Sequence, residues 1–255
     1  MDLAAGIFAG LLQGVLEWLP VSSSGQSMLF YLDILGLDAE RAFELGIFLH
    51  LGTMLAVLIK YRDTWANALS DSKLTRFLAI TTAMTCVIGV PVYLGLKMVL
   101  KGFDGTFLNF GVGLLLVVTG FLLYYTRRKD YGSEDLSTMS DGHIALIGAV
   151  QGFTILPGIS RSGATVSALA LSGVNQEEAL RLSFLMSVPA VAGAVVLEAA
   201  IDGIGALEPA SLAGLLAAFI SGYALMEMLL ATAHKVRFDL FCIGFGLLAM
   251  IPLII

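Results

Sequence analysis

The sequence predicts an all-α polytopic membrane protein with six transmembrane helices and two re-entrant helix–loop–helix hairpins in an inverted-topology repeat. Three observations carry that prediction. The 255-residue chain is 58% hydrophobic and only 13% charged, with a mean hydropathy of +0.90, whereas a water-exposed domain carries about 25% charged residues. Apolar runs long enough to cross a bilayer recur along it. Two further apolar segments end in stretches rich in Pro, Gly and Ser, and these two are copies of one another. Residues 1–255 read as a single integral membrane domain, with repeat 1 over about 1–130 and repeat 2 over about 140–255.

The first element, residues 3–19, is apolar but short and runs into Pro20-Val-Ser-Ser-Ser-Gly25. A helix broken this way inside a membrane needs its freed backbone groups satisfied by protein or cavity water, which points to a hairpin rather than a crossing. Three spanning runs follow at about 43–60, 77–97 and 106–126. Residues 143–157 then repeat the first pattern, running into Pro157-Gly-Ile-Ser-Arg-Ser-Gly163, and three more runs follow at about 182–200, 209–233 and 238–255. At a constant offset of 138, without a gap, Gly10, Gln13, Gly14, Ser22, Ser24 and Gly25 match Gly148, Gln151, Gly152, Ser160, Ser162 and Gly163. Three crossings between the copies invert the second unit relative to the first, an arrangement that places broken helices around a central site.

The charges test this topology. The net charge is −6, from 14 Lys and Arg against 20 Asp and Glu, and no segment interleaves clustered basic residues with aromatics, so no nucleic-acid partner is expected. With both hairpins re-entrant, Arg41, Lys97 and Lys101 fall on one side, while Lys60, Arg62, Lys73, Arg76, Arg127, Arg128, Lys129, Arg181, Lys235 and Arg237 fall on the other. If both hairpins crossed, the basic residues would divide evenly and the positive-inside bias would vanish. The expected protein is therefore multi-pass in the plasma membrane, with both termini and the mouth of the first hairpin outside. Cys86 and Cys242 sit in apolar runs and read as small hydrophobes.

Ionisable residues at membrane depth cost about 2.5–3.5 kcal/mol each on insertion, so Glu17 and Arg161, both inside the repeated segments, are the first candidates for chemistry. Gln13 and Glu17 share a helix face, and the hydroxyls of Ser22, Ser23 and Ser24 follow the break, before Gly25. In the second copy Ser160, Arg161, Ser162 and Thr165 surround Gly163. A guanidinium fork, hydroxyls and amides freed at helix N-termini suit a phosphate. Glu17 with Gln13 suits a divalent cation, since Mg²⁺ takes few protein carboxylates beside phosphate oxygens. Apolar walls around such a polar tip suit a lipid headgroup. The plainer readings are a structural Glu17–Arg161 bridge and helix capping by Ser22 or Ser24. Glu44, Glu198 and Glu227, near span ends or on single helices, are expected in structural or interfacial roles, His50 as a hydrogen-bonded core residue, and Trp18 as a packing or interfacial one.

The segment Gln13-Gly-Val-Leu-Glu17-Trp-Leu-Pro-Val-Ser-Ser-Ser-Gly25 resembles the (E/Q)-x-x-x-E motif and Ser-rich loop of the undecaprenyl-diphosphate phosphatase, or bacitracin-resistance, family. Pro157-Gly-Ile-Ser-Arg-Ser-Gly-Ala-Thr165 resembles its P-G-x-S-R-S-x-x-T signature, and Phe43-Glu44 and Leu51-Gly-Thr53-Met-Leu-Ala-Val57 also fit, so the resemblance covers essentially the whole chain. It implies a membrane hydrolase that converts undecaprenyl (polyprenyl) diphosphate to the monophosphate and inorganic phosphate, recycling the lipid carrier of cell-envelope glycan synthesis with Mg²⁺ or Ca²⁺. It also implies six spans, two re-entrant units and a site opening outward.

By matching position, the resemblance puts Gln13 and Glu17 where the metal is bound or the attack activated, Ser23 at the nucleophile and Arg161 on the diphosphate. Ser160 and Thr165 support the phosphate, and Ser22, Ser24, Gly25, Gln26 and Ser162 complete the expected substrate-binding set. One position departs: Gln26 stands where the bacterial pattern S-S-x-G-H has histidine. That favours Ser23 or a water as nucleophile, assisted by Glu17, and makes His50 a candidate proton carrier. A Gln here resembles archaeal members, which extends the expected lipids to other polyprenyl or dolichyl diphosphates. The competing expectation is a transporter or flippase of polyprenyl phosphate using the same groups, and a homodimer is an assembly the sequence leaves open.

Overall fold

The computed structural model describes residues 1–68, 70–102, 105–126, 132, 136–203, 208–233 and 237–254, and among them are eleven helices. The first broken segment gives α1 (Leu3–Leu16) and α2 (Ser23–Asp33), followed by α3 (Ala39–Lys60), the short α4 (Arg62–Asn67), α5 (Ser72–Gly102) and α6 (Gly105–Thr126). The second gives α7 (Asp141–Phe153) and α8 (Arg161–Leu171), followed by α9 (Gln176–Asp202), α10 (Pro209–Ala233) and α11 (Phe238–Ile254).

Among the described residues, α3, α5, α6, α9 and α10 are long and apolar enough to cross a membrane. The expected sixth span, α11, is apolar but has 17 residues, about 26 Å at a rise of about 1.5 Å per residue. Helices α5 and α9 overrun the predicted 77–97 and 182–200 because their polar first turns are held by side chains. The Asp71 carboxylate accepts the Lys73 and Leu74 N–H groups at 3.0 and 3.1 Å, and Asn175 accepts that of Glu178 at 3.0 Å. Phe8, Val87, Met98, Phe121, Val196 and Leu248 are exposed around the outside. Water would penalise such a surface; it is that of a multi-pass membrane protein.

Helices approach most closely where both sides are small. A methyl group at Gly10 would lie 1.9 Å from the Gly214 carbonyl oxygen, which lets α1 press against α10. The matching residue Gly148 brings α7 against α5, where a methyl would lie 2.5 Å from the Thr81 carbonyl oxygen. Backbones in lipid gain association through such contact, because apolar side chains alone have no preference for protein over lipid. Each half of the chain thus lends the first helix of its broken pair to the other half.

Charged side chains gather at two ends. At one, Lys60 closing α3 meets Glu227 of α10, Arg76 of α5 holds Asp141 of α7, and Arg237 holds Asp239 at 2.8 Å. At the other, Lys101 lies 3.4 Å from Glu40. Arg127, Arg128, Lys129 and Lys235 lie outside the described residues. Lys97, expected in a loop, is inside α5 and buried; its Nζ donates to Glu198 at 2.9 Å and lies 3.4 Å from Glu44, and Tyr93 also donates to Glu198. The helix runs past the apolar stretch, and partners on α3 and α9 make the buried ammonium tolerable.

Candidate active site

The two breaks, residues 17–22 and 154–160, touch each other. Ser22 has φ +59°, the one non-glycine residue in the left-handed region among those described, a conformation costing about 1–3 kcal/mol. Its side chain explains why it stays there. Ser22 Oγ accepts from Gly25 N at 3.3 Å, capping α2, and from Gly158 N at 3.1 Å, tying the first break to the second. Gly25 meets Gly158 so closely that a methyl group on Gly25 would lie 2.8 Å from the Gly158 nitrogen. From the second break, Ser160 Oγ accepts from Gly163 N at 3.1 Å, capping α8, and Ser162 Oγ donates to the Leu19 carbonyl at 3.4 Å. Thr119 of α6 braces this turn, donating to Gly158 O at 2.8 Å and accepting from Ser160 N at 3.1 Å. The N-termini of α2 and α8, each with N–H groups that lack intrahelical partners and the positive end of a helix dipole, therefore start side by side.

Beside this junction is a cleft. Glu17, Ser22, Ser23, Ser24, His50, Ser160, Arg161 and Ser162 line it, with Tyr31, Phe43, Ile47, Ile155 and Val191 among its apolar walls. Glu17 is the hub. Its Oε1 takes the Arg161 guanidinium, and its Oε2 accepts from Gln13 Nε2 at 2.9 Å and Ser23 Oγ at 2.7 Å. His50 Nε2 stands 3.3 Å from the same oxygen, and His50 Nδ1 meets the Gly46 carbonyl at 2.6 Å. A carboxylate has roughly four lone-pair sites, so Glu17 is close to saturated. The Nδ1 contact fixes the ring so that Nε2 is the nitrogen presented to Glu17 and the cleft.

Arg161 is positioned by what its other atoms touch. Nη1 donates to the Ser183 carbonyl at 3.2 Å, and the guanidinium carbon lies 6.0 Å from the centre of the Phe184 ring. Trp18 packs edge-on to that ring at 5.3 Å and donates to Gly222 O at 3.0 Å, so it is a buried packing residue. Thr165 Oγ1 lies behind Arg161, bonded to its carbonyl at 2.8 Å and to Ser183 Oγ at 2.7 Å.

Four sequence-predicted residues do not line the cleft. Gln13 sits behind Glu17, Gly25 is spent on the contact with Gly158, Thr165 backs Arg161, and Gln26 turns its amide to Val21 O at 3.4 Å. The sequence reading missed the Gly46 and Ser183 carbonyls and the Phe184 ring. Ser183 and Ser187 share a face of α9 four residues apart, a polar stripe in an apolar run that could have flagged this helix; carbonyls carry no such signal.

A carboxylate holding a serine hydroxyl, a guanidinium and two helix N-termini around one apolar-walled cleft can bind a phosphate and take a proton from a group attacking it. The family described as Bacitracin resistance protein BacA matches residues 6–251. The chain is similar to a Methanothrix thermoacetophila protein named undecaprenyl-diphosphatase, at 40% identity over 98% of this chain and 96% of that one. Proteins of the same name from Methanococcoides burtonii, at 35% identity over 99% of each chain, and from Haloarcula marismortui, at 38% over 98% and 96%, are also similar.

Proposed function

The chain belongs to the bacitracin resistance protein BacA family, and from that premise we propose that the cleft between its two broken helices is the active site of an undecaprenyl-diphosphatase. One observation carries the reading: Glu17 holds the Ser23 hydroxyl at 2.7 Å and the Arg161 guanidinium at once. The terminal phosphate of a polyprenyl diphosphate lies against Arg161 and the N-termini of α2 and α8, which supply charge and a fan of N–H donors. Arg161 keeps Nη1 on Ser183 O and turns Nη2 from Glu17 to the phosphate, and the released carboxylate becomes a proton acceptor.

Ser23 Oγ, or a water at that position, attacks the terminal phosphorus in line, and its proton passes to Glu17. The bond from that phosphorus to the bridging oxygen breaks as polyprenyl monophosphate leaves, its new charge met by a proton relayed through His50. Water attack gives inorganic phosphate directly; serine attack gives a phosphoserine that a water then hydrolyses. Positioning and electrostatics supply most of the catalysis in such transfers. Full turnover in a His50→Phe variant would remove the relay from this scheme.

A divalent cation, Mg²⁺ or Ca²⁺, is part of the proposal. Glu17 lines the cleft and is the carboxylate that would hold it beside phosphate and water oxygens, while Gln13 Oε1, a buried oxygen without a hydrogen-bond partner on the side chain behind Glu17, would reach it only if the Gln13 amide turned over. Bound there, it supplies positive charge to the diphosphate oxygens.

The same proposal makes α1–α2 and α7–α8 re-entrant and the two halves an inverted repeat. Helices α1 and α7 have 14 and 13 residues, about 20 Å each at about 1.5 Å per residue, against a hydrocarbon core of about 30 Å. The exchange of α1 onto α10 and α7 onto α5 supports the repeat, and Arg76 on Asp141 puts the start of α7 beside the start of α5. The more basic end is cytoplasmic, which sets both termini and the cleft mouth outside the plasma membrane. The exchanged helices also suit a carrier, so transbilayer movement of polyprenyl phosphate in proteoliposomes without phosphate release would favour a flippase. The deciding assay is phosphate release across polyprenyl diphosphates of differing length and saturation, with and without chelator. The proposal expects release that chelator suppresses; no release from any of them would overturn it.

A further inference from the structure

The cleft has a side branch. Between α5 and α9 lies a second cavity that shares His50, Thr154, Ile155, Arg161, Val191 and Ala194 with the first. Thr85, Gln151 and Ser187 also line it, with the Gln151 amide nitrogen spent on Thr85 and the Met186 carbonyl, and the rest of its run is along small and apolar residues, Gly89 and Val90 on α5 and Ala190 and Gly193 on α9. The two cavities differ in what bounds them. Away from the junction, the first is walled by the buried side chains of Met28, Tyr31 and Ala42. The second opens on the outer surface, where Cys86, Val90 and Gly193 are exposed. Its far end is shut: Tyr93 lines it and donates to Glu198, which also holds the buried Lys97. What enters from this side comes from the lipid phase and meets a guanidinium only at the inner end.

We propose that this groove seats the first isoprene units of the polyprenyl chain, so that the substrate enters sideways from the membrane between α5 and α9 with its diphosphate leading toward Arg161. The inference rests on the phosphatase reading of the cleft. From Thr85 to Tyr93, eight helical residues cover about 12 Å, room for two to three isoprene units; the rest of a long chain stays in lipid. Chain recognition therefore saturates early, and the enzyme distinguishes the start of a polyprenyl chain without measuring its full length.

The test uses Gly193→Leu, because Gly193 lines the groove and a Cβ built there meets no atom within 4 Å, which leaves room for a larger side chain to occupy the groove. The substrates are dimethylallyl, farnesyl and undecaprenyl diphosphates in mixed micelles. Wild-type kcat/KM rises from the five-carbon to the fifteen-carbon substrate and then levels. In Gly193→Leu it falls about tenfold or more for the two longer substrates, through KM, and stays within about twofold for the shortest, as expected when a hydrophobic subsite loses a few methylenes of room. An equal fall on all three, or none on any, overturns the groove assignment and leaves the phosphatase reading standing. No phosphate release by wild type from any of them overturns both. A second measurement needs no turnover: a farnesyl monophosphate with a diazirine on its first isoprene unit, photolysed with the wild-type protein, labels peptides spanning 85–93 and 187–197. Label confined to α2 or α6 overturns the assignment.

Discussion

Replacing Glu17 by Gln keeps the size of the side chain and removes its charge, and the hydrogen bonds around it set the expected cost. Glu17 now accepts from Arg161 through one oxygen and from Gln13 and Ser23 through the other, with His50 Nε2 at 3.3 Å. A glutamine can keep its carbonyl oxygen on Arg161 and turn its amide nitrogen to Gln13 and Ser23, which must then accept through Gln13 Oε1 and the Ser23 oxygen, so what is lost is the negative charge facing Arg161. Leaving Arg161 buried without its partner costs about 3–5 kcal/mol for a fully enclosed pair, and the lower part of that range applies because the Arg161 side chain is 16% exposed. The chemical effect is separate. If Glu17 takes the proton from the attacking oxygen, kcat falls by about 10²–10⁴-fold, and this fall is read at saturating substrate because losing a carboxylate that would hold the cation raises KM as well. The assays are thermal unfolding in detergent and phosphate release at saturating undecaprenyl diphosphate, on protein that elutes as folded. A folded Glu17→Gln enzyme with a tenth or more of wild-type kcat would refute the base role and leave Glu17 a structural partner of Arg161.

Other predictions follow from single contacts. Ser23→Ala removes one hydrogen bond to Glu17, worth about 1 kcal/mol of stability. A fall in kcat comparable to that of Glu17→Gln identifies Ser23 as the nucleophile, and a fall below about tenfold assigns the attack to water. Gly10→Ala puts a methyl group 1.9 Å from the Gly214 carbonyl and should destabilise the protein by about 1–3 kcal/mol through forced separation of α1 and α10, whereas Gly193→Ala, opening on empty space, should be near neutral by the same thermal assay. Lys97→Met leaves two carboxylates, Glu198 and Glu44, without the ammonium that pairs them, so the unfolding temperature drops while kcat of the surviving folded enzyme stays within about threefold.

The broken helices were the most legible part of the sequence, because Pro, Gly and Ser interrupt apolar runs at the same places in both copies and the matching needs no gap. Glu17, Arg161 and the serines followed, since charge is scarce and both charges fall inside the copied segments. What escaped is what depends on contacts distant in sequence. Lys97 reads as a loop residue until α9 supplies Glu198, 101 residues away. His50 is a candidate proton carrier in the sequence only through the departure at Gln26, and its contact with Glu17 comes from the fold, which sets its Nε2 3.3 Å from that carboxylate. Gln26 follows the serines with only Gly25 between, yet its amide turns back to the Val21 carbonyl, away from the cleft. The groove between α5 and α9 was invisible for a different reason: small residues in an apolar run pack against lipid, helix or ligand equally well, and only the opposing helix decides which.

Catalysis in this cleft requires the diphosphate to meet Arg161. Purified wild-type protein and Arg161→Ala, each reconstituted in liposomes containing undecaprenyl diphosphate and assayed with Mg²⁺, test that directly. Wild type should release one phosphate for each undecaprenyl monophosphate formed, and a folded Arg161→Ala should be slower by about 10²-fold or more in kcat/KM, the worth of a charge-assisted phosphate contact in a water-poor site. Equal phosphate release by the two proteins would contradict it.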